Sequence, residues 1–291
     1  MISDMMRAIG ISGMSLSAKK ERASVNLIQR AFHLAHFIFP KGGTCLEFGV
    51  FEGGTYSYQA SEIMRQYPYS SLVGFDSWHG LPEEAAGVWF PKRHEKGGYS
   101  AQKTKVIQKL QAIGVSVNDQ RFRFVDGFYS ESLTDHLRDE ISNVIFINID
   151  VDIYRSTIEV LEFIRPLLRP GVIIYWDDWK DPKDEGAQAW GEHLAWENWF
   201  TKQQDFTVET LEVNPVNQRT MIVVAVDGQR MMAPLPTICD IRYHAQELAD
   251  FVTHSPLEID PDYQSFLRWK TRCRKFPLSR AMARIIRAMT K

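Results

Sequence analysis

The chain has 291 residues, of which 44% are hydrophobic and 24% are charged, as in an ordinary globular protein. This composition excludes disordered, collagen-like and coiled-coil chains. The longest apolar runs are far shorter than the roughly 18 to 20 residues of a membrane span. The first residues lack the basic region and continuous apolar stretch of a secretory signal. Three scattered cysteines suit neither a disulfide framework nor a zinc site, so we expect a cytoplasmic protein.

The net charge of −2 conceals a strong asymmetry along the chain. Residues 264–291 contain nine lysines and arginines and no acid, which leaves 25 cations and 36 acids before them. Residues 277–291 place apolar side chains on one helical face and a stripe of cations on the opposite face. Such a basic amphipathic helix can lie on an anionic membrane, but we expect it to dock on the acidic domain or on a second copy of the chain.

The pattern of apolar residues predicts one helix followed by alternating strands and helices. The first helix covers residues 17–38, within an N-terminal helical leader of residues 1–40. Strands are predicted at 44–50, 71–76, 121–126, 143–150 and 171–177, with helices at about 55–67, 102–113, 130–139 and 154–168. Continuous apolar strands that alternate with helices are typical of a parallel sheet covered on both faces.

The last two predicted strands differ from the others. A helix at about 184–203 precedes strands at 205–213 and 219–226, which are joined by the short turn Asn214-Pro215-Val216-Asn217. So short a connection requires an antiparallel hairpin, which we place at the edge of the sheet. The predicted fold is therefore α/β with a seven-stranded, mostly parallel sheet and an antiparallel edge hairpin, a layout that resembles the Rossmann-like class I methyltransferase fold. We assign the methyltransferase domain to residues 41–227 and a C-terminal extension with the basic tail to residues 228–291.

The first strand ends in a glycine-rich turn. The string LEFGVFEGGT places Glu47 and Gly49 at the strand end and Gly53 at the start of the next helix. Glycines allow backbone to approach a ligand closely, and ligands of open α/β sheets bind at the carboxyl ends of strands. The G-x-x-x-G-G spacing differs from the G-x-G-x-x-G of dinucleotide sites. We favour a cofactor turn over the alternative, an ordinary tight turn with a surface acid.

Acidic residues also end the second and third predicted strands. Asp76 is placed where a carboxylate can accept hydrogen bonds from ribose hydroxyls. Asp126 and Gly127 lie where an adenine ring would fall. A helix N-cap is the alternative role for Asp126.

Four carboxylates follow the fourth and fifth predicted strands: Asp150, Asp152, Asp177 and Asp178. Carboxylates at adjacent strand ends repel one another unless a cation lies among them. Oxygen ligands without histidine or cysteine suit a hard divalent ion such as Mg²⁺. The alternative is a group of surface acids, with Asp152 as the N-cap of the helix that starts near Tyr154.

The strings LEFGVFEGGT, GFDSWHGLPE, IDVDIYRST and YWDDW, in this order, resemble the macrocin O-methyltransferase family over residues 40–205. The resemblance implies an enzyme that methylates sugar hydroxyls with S-adenosylmethionine and Mg²⁺. It makes Asp150, Asp177 and Asp178 the metal ligands, with Asp150 also suited to act as the base. It assigns cofactor contacts to Glu47, Gly49, Asp76 and Ser77.

Two departures from related families qualify the prediction. Trp78 and His79 stand where the macrocin family usually has an aromatic residue and an acid, so the identity of the acceptor does not transfer. Mg²⁺-dependent catechol methyltransferases carry a lysine base three residues after the first metal-binding aspartate, where this chain has Ile153. A catechol reaction is therefore disfavoured.

Residues 77–100 are rich in aromatic residues and glycine and are too long for a routine connection, so we expect a lid over the acceptor. His79 and His94 in this lid are candidate site residues, although a lone histidine is more often structural.

The predicted function is S-adenosylmethionine- and Mg²⁺-dependent O-methylation of a sugar hydroxyl on a glycosylated natural product or glycan. A nicotinamide-dependent oxidoreductase and a non-catalytic protein that binds S-adenosylmethionine and docks on a membrane or partner are the alternatives. The predicted partners are the glycosylated acceptor, a second copy of the chain and, through the tail, a membrane surface, with no nucleic acid.

Overall fold

The computed structural model describes residues 16–89, 94–116, 118–179, 189–213 and 218–231, with side chains from residue 27 onward. Strands and helices alternate through this part of the chain, as the sequence predicted. The strands are β1 (Thr44–Phe48), β2 (Ser71–Asp76), β3 (Phe122–Asp126), β4 (Val144–Ile149), β5 (Ile173–Trp176), β6 (Phe206–Val213), β7 (Arg219–Val226) and β8 (Gln229–Arg230). The helices are α1 (Leu16–Ile38), α2 (Gly54–Gln66), α3 (Lys103–Ala112), α4 (Tyr129–Ser132), α5 (Asp135–Glu140), α6 (Tyr154–Ile164) and α7 (Gly191–Phe200).

All eight described strands form one sheet, with β3-β2-β1-β4-β5-β7-β6 as its main order. The first five strands are parallel, and β7 pairs antiparallel with both β5 and β6. The predicted mostly parallel sheet with an antiparallel edge hairpin is therefore confirmed. The predicted count of seven strands was one short, because Gln229 and Arg230 pair with the end of β7. Two residues show too little alternation for a sequence pattern to reveal a strand.

The helices differ from their predicted extents where local chemistry interrupts them. The predicted helix at 130–139 is two helices, because Thr134 leaves the helical conformation and its hydroxyl caps α5 by accepting the N–H of Leu137. Helix α6 ends at Ile164 and continues as a 3₁₀ turn, Arg165–Leu167, which contains Pro166. Within the described residues, the helix predicted at 184–203 runs from Gly191 to Phe200.

The core lies on both faces of the sheet. Strand β4 is buried along its whole length, as its continuous apolar sequence indicates. Helix α1 covers part of the sheet through Phe32, whose ring meets that of Phe146 on β4 edge-on at 5.3 Å. None of the helices in the described ranges is long and apolar enough to cross a membrane.

The sheet order reverses between β2 and β4, which flank β1 on opposite sides. This is the point at which open α/β sheets bind ligands. Here the backbone turns so tightly that a Cβ on Gly49, which has φ +86°, would collide with the carbonyl oxygen of Asp150. Only glycine allows the end of β1 to lie this close to the end of β4.

The chain divides into a unit of residues 1–234 and a unit of residues 235–291. The second unit, and with it the predicted basic tail helix of residues 277–291, lies outside the described residues.

Candidate active site

A cavity of about 270 Å³ opens at the carboxyl ends of β1, β2, β4 and β5. Seven of the ten predicted site residues line it: Gly49, Asp76, Ser77, Gly127, Asp150, Asp177 and Asp178. The other three, Glu47, Gly53 and Asp126, are outside its wall. The cofactor turn and the carboxylate group, predicted from separate motifs, therefore share one cavity.

Three carboxylates converge in this cavity. Asp150, Asp177 and Asp178 each offer an oxygen atom within 4.8 Å of the others. Their convergence follows from the sheet, because Ile149 at the end of β4 pairs with Trp176 at the end of β5. Burial raises the pKa of Asp150 well above its ordinary value, and the charges of Asp177 and Asp178 raise it further. This all-oxygen donor set and its mutual repulsion fit a hard divalent cation.

The Asp177 carboxylate is held from its own strand and from the hairpin. It accepts the hydroxyl proton of Tyr175 at 2.8 Å and the side-chain amide of Gln218 at 2.6 Å, both on Oδ1. Sequence reasoning missed Gln218, because it comes 41 residues after Asp177, just before β7. Both bonds are made to Oδ1, so they restrict the rotation of the Asp177 side chain without using Oδ2.

A further acid beside the cluster, Glu192, was not predicted. It lies in the first turn of α7, is fully buried, and accepts the backbone N–H of Val151 and that of Asp178. Burial raises its pKa well above the ordinary value, with Asp178 as the next cause. The only available signal was an acid within an apolar helix, and nothing in its spacing links it to the strand ends.

Asp76 organises the glycine-rich turn. Its Oδ2 accepts the N–H groups of Val50 and Phe51 at 2.9 and 2.8 Å, and its Oδ1 accepts the N–H of Trp78 at 2.7 Å. Burial is the largest influence on Asp76 and raises its pKa, against the effect of these bonds. Oδ1 accepts one described bond, so a second donor, such as a ribose hydroxyl, can still bind there.

Glu47 is buried within the domain, which rules out the surface acid considered as its alternative role. Its carboxylate accepts the Thr55 hydroxyl at 2.7 Å and the Gln59 side-chain amide. Burial raises its pKa to about 8. Gly53 starts α2 with φ +75°, and a Cβ there would collide with Val106 of α3. Both residues shape the turn from behind the cavity wall.

Asp126, outside the cavity wall, bonds to two other side chains. Its carboxylate binds the Lys103 ammonium at 2.7 Å and accepts the indole N–H of Trp78 at 2.8 Å. Ser77, which lines the cavity, donates its hydroxyl to the carbonyl of Gly80 at 3.0 Å. Asp126 is not the N-cap of the helix that follows it. Helix α4 begins at Tyr129, its N-cap residue is Phe128, and no side chain caps it.

The segment predicted as a lid borders the cavity through Leu81, Pro82 and Tyr99. Glu84 in this segment caps α6, because its carboxylate accepts the N–H groups of Tyr154 and Arg155. The alternative role of Asp152 as that cap is therefore wrong.

Asp152 instead lines the cavity, and its carboxylate lies 3.1 Å from Nδ1 of the buried His94. The other histidine candidate in the lid, His79, does not line the cavity; its ring lies 6.3 Å from that of Phe128.

Left-handed backbone marks the cavity rim. Phe51, Tyr99 and Asp152 line the cavity with φ of +49°, +56° and +60°, which is costly for residues with a Cβ. The rings of Phe51 and Tyr99 meet edge-on at 5.9 Å, which joins the glycine-rich turn to the lid segment. The fold imposes these conformations at the wall of the cavity.

Comparisons with known proteins agree with this architecture. Residues 46–179 match a family model described as a methyltransferase domain. A relative from Streptomyces olivaceus, 8-demethyl-8-(2,3-dimethoxy-alpha-L-rhamnosyl)-tetracenomycin-C 4'-O-methyltransferase, is 27% identical over 143 residues, which cover 47% of this chain and 53% of the relative. The chain thus spans about half the length of that relative.

Two solved structures share the fold. The calicheamicin methyltransferase CalS11 is 23% identical with a TM-score of 0.55, over 72% of this chain and 80% of CalS11. The O-methyltransferase NovP is 17% identical with a TM-score of 0.50, over 70% of this chain and 81% of NovP. The class I methyltransferase fold predicted from the sequence is confirmed by this likeness to CalS11.

Proposed function

We propose that the protein is an S-adenosylmethionine- and Mg²⁺-dependent O-methyltransferase that acts on a sugar hydroxyl of a glycosylated natural product or glycan. The observation that carries the proposal is the cluster of Asp150, Asp177 and Asp178 in the same cavity as Gly49 and Asp76. A cavity with both features can place a methyl donor beside a cation. The relative from Streptomyces olivaceus is named as a rhamnosyl 4'-O-methyltransferase, which supports a sugar acceptor.

The cofactor binds along the glycine-rich turn in this proposal. Asp76 fixes the turn through the N–H groups of Val50 and Phe51 and offers its Oδ1 to a ribose hydroxyl. Gly127, which lines the cavity, and Asp126, which precedes it at the end of β3, would border the adenine. Glu47 supports the turn from behind through Thr55. The absence of G-x-G-x-x-G spacing in the turn disfavours a nicotinamide dinucleotide.

Asp150, Asp177 and Asp178 hold the divalent ion. When bound, Mg²⁺ lowers the pKa of an acceptor hydroxyl and orients it. Gln218 and Tyr175 fix the Asp177 carboxylate, so that the donor set is in place before the acceptor arrives. Such fixed geometry is needed because a misplacement of about 1 Å costs about 10²-fold in rate.

Asp150 accepts the proton of the acceptor hydroxyl. S-adenosylmethionine would supply the methyl group: its methyl carbon would bond to the acceptor oxygen as the carbon–sulfur bond breaks, and the electron pair would remain on S-adenosylhomocysteine. The hydroxyl proton passes to the Asp150 carboxylate, directly or through one water. Asp150 suits this role because it lies at the end of β4, directly beside Gly49 of the cofactor turn.

The acceptor enters beside the lid segment. Leu81, Pro82 and Tyr99 supply apolar contact on one side, and Asp152 supplies a hydrogen-bond acceptor next to the metal-binding carboxylates. Nδ1 of the buried His94 lies 3.1 Å from the Asp152 carboxylate. Asp152 is therefore placed to bind a second sugar hydroxyl.

The test is methyl transfer from labelled S-adenosylmethionine to a panel of glycosylated acceptors, read by intact mass and label. We expect label on the sugar, loss of transfer after thorough chelation, and recovery with added Mg²⁺. Calorimetry should show binding of S-adenosylhomocysteine and none of NAD. Full transfer after chelation would contradict the metal's role, and tight NAD binding without binding of S-adenosylhomocysteine would contradict the function.

We further propose that the protein works in the cytoplasm as an oligomer to which the basic tail contributes. The acidic charge of residues 1–263 and the cations of the tail support such docking. Deletion of residues 277–291 should lower the melting temperature or dissociate the oligomer. Unchanged stability and assembly, with loss of salt-sensitive binding to anionic vesicles, would instead indicate a peripheral membrane contact.

A further inference from the structure

Glu192 connects the two loops that carry the cavity's carboxylates. Its Oε1 accepts the N–H of Val151 at 2.9 Å, and its Oε2 accepts the N–H of Asp178 at 3.2 Å. Val151 directly follows Asp150, and Asp178 belongs to the carboxylate cluster itself. One side chain on α7 therefore bonds to the backbone after β4 and to the backbone after β5.

The start of α7 is held against the first of these loops by a second, independent contact. Gly191 has φ +54°, and a Cβ there would collide with the carbonyl oxygen of Asp152. The helix backbone thus approaches the loop as closely as glycine allows. This packing fixes the point from which the Glu192 side chain reaches both N–H groups.

Both Glu192 oxygens are committed to these backbone donors, and the acid is completely buried. The described carboxylate cluster comprises Asp150, Asp177 and Asp178 without Glu192. Each oxygen of Glu192 accepts a backbone N–H from one of the two loops that carry the aspartates. Glu192 therefore holds these loops. Partners of this kind orient metal ligands in proteins, and their loss lowers metal affinity by 10- to 100-fold.

We propose that Glu192 is a positioning residue that sets the distance between the Asp150 loop and the Asp178 loop and thereby the affinity for the divalent ion. This inference rests on the proposed function, since it takes the ion to bind at the three aspartates. The proposal requires that the Mg²⁺ affinity depends on the length of the Glu192 side chain and on both of its acceptor oxygens. A negative charge at this position is not sufficient.

Two substitutions separate geometry from charge. Glu192→Gln keeps the length but turns an NH₂ donor toward one of the two backbone N–H groups. Glu192→Asp keeps the charge but is one methylene shorter and cannot reach both groups. Glu197→Gln is the matched control, because it changes an acid of the same helix whose side chain is 55% exposed.

The experiment measures the Kd of Mg²⁺ by calorimetry in the full-length protein, together with the Kd of S-adenosylhomocysteine and the melting temperature. We expect both Glu192 variants to weaken Mg²⁺ binding by tenfold or more. Their affinity for S-adenosylhomocysteine should stay within twofold of the unchanged protein. The Glu197 variant should match the unchanged protein in every measurement.

Four results would overturn the role of Glu192. Unchanged Mg²⁺ affinity in both variants would show that the bridge is irrelevant to the ion. Weak binding in Glu192→Gln with normal binding in Glu192→Asp would assign the effect to charge. Equal losses of Mg²⁺ and S-adenosylhomocysteine affinity would mean general support of the fold. A failure of the unchanged protein to bind Mg²⁺ would overturn the proposed metal site as well.

Discussion

The carboxylate of Glu84 accepts the backbone N–H of Tyr154 at 2.8 Å, across 70 residues of sequence. The same carboxylate accepts the N–H of Arg155 at 2.9 Å, so it satisfies two free donors at the start of α6. Helix α6 begins just after Asp150 and Asp152. A residue of the lid segment thus anchors itself to the helix that follows the carboxylate loop.

Replacement of Glu84 by alanine should destabilise the protein by about 1 to 2 kcal/mol, as loss of a helix cap does. It should also raise the acceptor KM, because Leu81 and Pro82 lose their anchor at the cavity wall. Denaturant unfolding and methyl-transfer kinetics measure the two effects. Glu83→Ala is the control, since that side chain is 79% exposed and has a weak ion pair with Lys96. Equal behaviour of the two variants would contradict the capping role.

The cap also shows where sequence reasoning reaches its limit. Asp152 has the residue type and the position of an N-cap, but its φ of +60° turns it into the cavity toward His94. Glu84 and Glu192 act across 70 and 41 residues of sequence. No local pattern encodes such contacts, because they depend on the packing of separate elements. The backbone strain at Phe51 and Tyr99 has the same origin.

The carboxylate cluster was predictable because strand geometry is regular. Asp150 and Asp177 each follow a continuous apolar strand, and the carboxyl ends of adjacent parallel strands meet at one sheet edge. The same reasoning placed Asp76 and Gly49 in the cavity. Strand geometry could not indicate that Glu47 is buried. Its burial depends on the helix that packs over it, whose Thr55 and Gln59 side chains bond to its carboxylate.

Asp177→Asn should weaken Mg²⁺ binding by 10-fold or more, because it removes a charged ligand and changes the acceptor used by Tyr175 and Gln218. Asp150→Asn should lower kcat more than it raises the Kd of the cofactor, since it removes both a ligand and the proton acceptor. Metal titration and steady-state kinetics measure these effects. A fully active Asp150→Asn enzyme would exclude Asp150 as the base.

Asp76→Ala should raise the Kd of S-adenosylhomocysteine by about tenfold or more. It removes the acceptor of three backbone N–H groups, and each hydrogen bond contributes about 1 kcal/mol. Mg²⁺ affinity should change little, because Asp76 is not part of the carboxylate cluster. Calorimetry with both ligands gives the comparison, with the exposed Asp139→Ala as the control. Unaltered cofactor binding would remove Asp76 from the proposed site.

The pH dependence of stability should reveal two histidines of α1, the buried His36 and the partly buried His33. His33 bonds to the hydroxyl of Tyr67 at 2.6 Å, and His36 bonds to the Phe32 carbonyl at 2.9 Å and to Ser70 at 3.0 Å. Burial lowers the pKa of each from 6.5 to about 4. The unfolded chain therefore binds more protons than the folded chain between pH 6.5 and 4, so their contribution to stability falls as the pH decreases through that range.

Glu47 changes the stability in the opposite direction. Burial raises its pKa to about 8, so the folded chain keeps its proton to a higher pH than the unfolded chain, and its contribution to stability falls as the pH rises. The prediction is therefore for a difference between variants. In His33→Gln and His36→Gln, the acid-side loss of unfolding free energy should shrink by on the order of 1 to 3 kcal/mol per histidine relative to the unchanged protein. Urea unfolding at pH 4 to 7.5 measures it, with the exposed His136→Gln as control. A pH profile that both substitutions leave unchanged would mean that these histidines are not buried in their neutral form.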